Sequence, residues 1–222
     1  MKQLSDDFVA WGKDYSGMDG GNPTSHVWFC GIEGGGGYKE EDLKSIIFNR
    51  DLEKDWISWS HDDLPYLCPK NHKESEDHIT GKDPFNLNIA KIARKLIGEE
   101  ISLYTELFAL DGKFFKMNLY PLPFKTHDNE LWSKSYYDKV GFLTKSQYKA
   151  WCMEYRFPKL NYLVKKYSPK CLVCFGNTLK EEYSVAFSSD ENEIFSEFSQ
   201  HTLVDDNGKV KTVFFKNINS NK

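Results

Sequence analysis

Apolar positions along this chain come in short runs of two kinds, and the way they alternate predicts its elements. "LSDDFVAWGKDY" carries apolar residues at helical spacing behind a capping Ser5, which predicts a short amphipathic helix. "MDGGNPTS" breaks it. "HVWFCGI" is a continuous apolar run of strand length ending at Gly31, and "YKEEDLKSIIFNRDLEKDWISW" returns to helical spacing with its acids early, as a helix N-terminus favours. From about 60 to 83 the chain turns polar and reads as a surface insertion.

"PFNLNIAKIARKLIG" restarts a helix with proline in its first turn and closes on Gly98. "KFFKMNLYPLPF" predicts a second strand running into a proline-rich loop. A long helical stretch around Pro158 leads to "PKCLVCFG", a third apolar strand, and "NTLKEEYSVAF" predicts another helix. "HTLVDDNGKVKTVFF" holds Asn-Gly between two β-rich arms, a strong local hairpin signal.

Strands separated by helices predict an α/β fold, specifically a three-layer sandwich with a central, mostly parallel sheet flanked by helices. The whole chain, 1–222, reads as a single domain of this kind with the polar insertion at about 60–83. Ligands of such sheets sit beyond the carboxyl ends of the strands. Glu33 and Asn118 fall at or just past those ends.

Composition sharpens this only a little. Charged residues make up 28% and the formal charge is −4, so a chain devoted to gripping phosphate backbone is disfavoured. No stretch is long and apolar enough for a membrane span, and the N-terminus has no apolar core of a secretory signal. Five irregularly spaced cysteines do not make a disulfide framework, so a soluble cytoplasmic protein is expected. His61, Cys68, His72 and His78 do not follow a zinc spacing, and Cys171 and Cys174 should point to opposite faces of their strand. Neither a metal nor a cofactor is expected.

Three constellations carry candidate chemistry. "GIEGGGGY" sets Glu33 at a strand mouth and then removes side chains. That suits either a solvated glycine turn or an acid held where a ligand or DNA backbone comes close. It matches neither common nucleotide-binding glycine motif. Asn118 lies within an apolar strand, where an amide needs partners; it could bond loop backbone or read the polar edge of a planar ligand. Phe85, at a helix start, could be core or a stacking platform for a base.

Taken in order, these pieces resemble the uracil-DNA glycosylase superfamily. In that family a strand ends in a glycine motif whose third position often supplies the residue that positions the attacking water, and Glu33 stands there, with Gly34 where proline is usual. "GKDPFNLNIAKIARKL" is similar to the family segment whose aromatic stacks on the base, which Phe85 matches. Leu87 or Asn88, and Ala90, replace its later glycines. "MNLYPLPF" supplies the base-bonding asparagine as Asn118, and "SPKCLVCFG" is similar to a later strand. The family's final strand runs into histidine-proline-serine. Here Asn217 and Ile218 occupy the histidine's region, and Ser220 stands for the serine.

The resemblance implies excision or recognition of a flipped-out, uracil-like base in DNA by hydrolysis of the N-glycosidic bond. Phe85 would stack, Asn118 would read the edge and Glu33 would orient water. Tyr38 would wall the pocket, and Gly34, Gly35, Gly36 and Ser220 would admit the DNA backbone. Losing one preorganised donor such as the histidine costs roughly 10²–10³ in rate, so slow or absent cleavage is expected. Two alternatives stand beside it: a non-catalytic module that binds a nucleobase, nucleotide or protein on the same fold, and a hydrolase of free nucleosides.

Overall fold

The computed structural model describes residues 4, 6–13, 18–33, 84–102, 106–107, 112–122, 124, 132, 138, 140–187, 198–204 and 210–217. The elements in chain order are α1 (Asp6–Lys13), β1 (Met18–Gly21), β2 (Val27–Glu33), α2 (Pro84–Ile97), β3 (Phe114–Tyr120), α3 (Lys145–Trp151), a π turn (Cys152–Arg156), α4 (Phe157–Tyr167), β4 (Cys171–Phe175), a 3-10 turn (Asn177–Leu179), α5 (Lys180–Phe187), β5 (Phe198–Val204) and β6 (Val210–Asn217).

The strands form one sheet in the order β1-β3-β2-β4-β6-β5. Only the central trio is parallel: β2 pairs with β3 on one side and β4 on the other. β1, β6 and β5 join antiparallel. The sheet is therefore mixed rather than mostly parallel. The hairpin of β5 and β6 enters at the edge of β4 and reverses direction there, and "MDGG", expected only to interrupt the chain, supplies the edge strand β1.

Strand alternation divides the core between two faces. On one face Trp28, Cys30, Phe115 and Met117 pack with α1, α3, α4 and α5. On the other, Phe29, Phe114 and Val173 meet Ile89, Ala90, Ile92 and Ala93 of α2. Helices thus cover both faces of the sheet. The cysteines of β4 divide as alternation requires, Cys174 to the first face and Cys171 to the second.

The arrangement of crossovers positions the site. The chain passes from β2 to its neighbour β3 with α2 on one face. It then returns past β2 to β4 with α3 and α4 on the opposite face. Strand order therefore reverses on either side of β2, and the carboxyl end of such a strand opens a crevice where ligands bind in open α/β sheets. Glu33 is the last residue of that strand, which runs two residues past the end expected at Gly31.

Candidate functional site at the end of the central strands

α2 brings Phe85 to the sheet's end. Proline at the first helical position suits a fixed φ and needs no donor, and Phe85 lies one turn before Ile89 on the same buried stripe. Its ring, half-buried, meets Phe175 of β4 edge-on at 5.1 Å and 69°. The Lys116 ammonium lies 5.0 Å from its centroid.

Asn118 is 3% exposed and pairs in register with Gly31. A β-carbon at Gly31 would lie 2.5 Å from Asn118 Oδ1 and 3.2 Å from Phe85 Cζ. The glycine is therefore what allows the amide oxygen and the aromatic ring to converge on the strand. The structure brings together two residues separated by 33 positions in the sequence, Phe85 and Asn118, over a backbone that offers no side chain.

Two residues on, about 7 Å at strand rise, the character changes. Glu33 pairs in register with Tyr120, and its Oε1 accepts from Lys145 Nζ at 3.1 Å. The Lys145 side chain has no exposure and that of Glu33 only 6%. Burial pushes the Glu33 carboxyl above its usual value, while the cations of Lys145 and then Lys149 pull it back. The Lys145 ammonium sits 3.7 Å from the centroid of Phe124.

Tyr120 packs between Tyr148 and Phe157, and its buried hydroxyl has no hydrogen-bond partner among the described residues. Burial, followed by the nearby Glu182, Cys152 and Glu33, raises its pKa, so it remains a protonated donor. The π turn contributes one more buried cation. Arg156 donates from Nε to the Leu119 carbonyl at 2.9 Å and from Nη2 to that of Asn118 at 3.1 Å. It pins the β3 backbone on which the Asn118 side chain is mounted.

Lys145 and Arg156 escaped the sequence reading, although both left a signal. Lys145, Tyr148 and Cys152 follow helical spacing, as do Tyr148, Cys152 and Arg156, and all four are buried. A cation repeated on an apolar helical stripe marks a charge that must find a partner inside.

The other expected site residues, Gly34, Gly35, Gly36, Tyr38 and Ser220, lie outside the described residues, as does the 60–83 insertion. The strand that precedes Ser220 bears on its expected place. β6 is antiparallel to β4, so Asn217 pairs with Cys171, at the opposite end of the sheet from Glu33. Among the described residues no group of three metal-ligating side chains occurs, and no helix is long and apolar enough to cross a membrane. Searches of family models, curated proteins and solved structures return no significant match to this chain.

Proposed function

We propose that this chain recognises a uracil-like nucleobase at the end of β2, in the manner of the uracil-DNA glycosylases it resembles in sequence, and hydrolyses its N-glycosidic bond slowly. The observation that carries this reading is the convergence of Phe85 and Asn118 over Gly31. A ring offers a face or edge to a planar ligand, an amide offers a donor and an acceptor to its polar rim, and glycine leaves room for both. The base would be rotated out of the stack to reach them.

Glu33 supplies the reacting group in this reading. An enclosed carboxylate one strand-repeat beyond the base site can orient water and stabilise positive charge growing on the sugar. Tyr120, held protonated beside it, adds a donor at the same strand end. Leaving-base stabilisation would fall to Asn118.

One observation favours the second reading, recognition without cleavage. Asn217, where the resemblance expects the histidine's region, pairs with Cys171 at the end of the sheet away from Glu33. The deciding experiment offers single- and double-stranded oligonucleotides carrying uracil, hypoxanthine or a mismatch to excess protein. Abasic sites formed by wild type and lost in Glu33→Gln support hydrolysis. Uracil binding lost in Asn118→Ala, with no abasic sites from any variant, supports recognition alone. Neither activity nor base binding in folded protein overturns both readings.

A further inference from the structure

No sequence motif involves Lys145, yet it is completely enclosed at the strand end where the candidate site lies. Its side chain has no exposure and its ammonium lies 3.1 Å from Glu33 Oε1. Two contacts fix it in place. The Phe124 ring lies 3.7 Å below the cation. Its helix begins at that residue, with the Thr144 side chain accepting from the Gln147 N–H as an N-cap.

An enclosed ammonium without a carboxylate is costly, and so is an enclosed carboxylate without a cation, so each favours the charged form of the other. Among the described residues, three titratable groups face Glu33. Lys145 and Lys149 come from α3, and Tyr120 comes from β3 with its hydroxyl protonated. Lys149 is one helical turn further on, its Nζ 5.7 Å from the Tyr120 ring centroid. Lys145 makes a direct hydrogen bond to the carboxylate, from a side chain with no exposure.

We propose that Lys145 is the positioning residue of Glu33: its ammonium holds the carboxylate charged and in one orientation at the end of β2. The task given to that carboxylate rests on the nucleobase reading above, whereas the control of its charge does not. With Lys145 in place the charged form of Glu33 is favoured, able to orient water or meet positive charge. With Lys145 replaced by a neutral residue, burial is still countered by Lys149 but no longer by the direct partner, and Glu33 takes up a proton at higher pH.

The test follows the Glu33 side-chain carboxyl by carbon NMR against pH in wild type, Lys145→Met and Lys145→Arg. Excision and uracil binding are measured on the same proteins. Lys145→Met is expected to raise the Glu33 midpoint by about one unit or more, the scale on which a close opposite charge acts. Lys145→Arg, which keeps the charge, should return it toward wild type, and the acid limb of any activity should move with the midpoint. Should Lys145→Met not fold, Lys145→Gln, neutral and one bond shorter, keeps a polar end and must also raise the midpoint.

A folded neutral variant with an unchanged Glu33 midpoint overturns the proposal, as does an arginine variant titrating like the neutral ones. The two readings fail separately. A shifted midpoint in a protein that neither binds nor excises a base removes the nucleobase reading and leaves the pairing. Excision or binding with an unmoved midpoint does the reverse.

Discussion

Beside Gly31 the two groups that meet where a side chain is missing are neutral, an aromatic ring and an amide, with the Lys116 ammonium 5.0 Å from the ring centroid. One strand-repeat further along β2 the end of the sheet is ionic, built from a carboxylate and an ammonium that exclude water from each other. The first half relies on space and is stable whether or not a ligand is present. The second relies on charge balance and holds only while both partners remain. On the proposed nucleobase reading, ligand shape is read in one half and reactivity is set in the other, and the two should respond to different perturbations.

The largest expected effect strikes the ionic half. Lys145→Ala leaves a buried carboxylate without its main cation and should cost about 3–5 kcal/mol of stability. For a chain of this size that lowers the melting temperature by roughly 6–20 °C, read by calorimetry. Pairing it with Glu33→Gln should recover much of the loss, since the remaining buried charge is then gone. If the double variant is as unstable as the sum of the single ones, the two residues are not energetically coupled and the contrast between the halves collapses.

Gly31→Ala attacks the neutral half. The added methyl meets Asn118 Oδ1 and Phe85, an overpacking that should cost about 1–3 kcal/mol in chemical denaturation. It should also abolish uracil binding while the Glu33 titration stays in place. A variant that binds uracil normally would show that the Phe85–Asn118 convergence is not the base site.

Phe85→Ala is expected to act mainly on affinity. Removing one stacking partner weakens base binding by about 1–3 kcal/mol, roughly 5- to 150-fold in dissociation constant. Isothermal titration with a uracil-containing oligonucleotide measures it. An unaltered constant would assign Phe85 to the core beside Phe175 alone.

The smallest effect is a pH dependence. The Glu33 carboxyl binds its proton more tightly in the folded chain than in the unfolded one, because burial outweighs the cations around it. Folding therefore takes up a proton in the interval that begins at the ordinary carboxyl value and extends upward. The stabilising contribution of Glu33 is full below that interval and fades as pH rises through it. The unfolding free energy of wild type minus that of Glu33→Gln should decline as pH rises from the ordinary carboxyl value. A flat or rising difference would sink the assignment.

The neutral half was legible in the sequence and the ionic half was not. Phe85 follows a helix-starting proline, and Asn118 interrupts an apolar strand, so each is conspicuous within its own ten residues. Their meeting needs only that α2 and β3 both reach the carboxyl end of β2, which strand-helix alternation implies. Glu33 was visible as an acid at a strand mouth. Its partner stands 112 residues away on a helix that no motif singles out. Arg156 was hidden in the same way, its buried fork serving backbone carbonyls that no side-chain pattern reveals.

Periodicity by itself determined the secondary structure of most described elements, the α/β class and the opposite facing of Cys171 and Cys174, because burial on one side of a helix or strand imposes spacing on the sequence. It also placed Glu33, Phe85 and Asn118 near strand or helix ends. Tertiary structure alone decided which strands run parallel, since alternation within a strand is the same whichever direction it runs. It alone decided that Glu33 is enclosed with Lys145, and that Gly31 lies beneath Asn118 and Phe85. The reason is physical: spacing records which side of an element is buried, whereas a partner is set by the path of the whole chain.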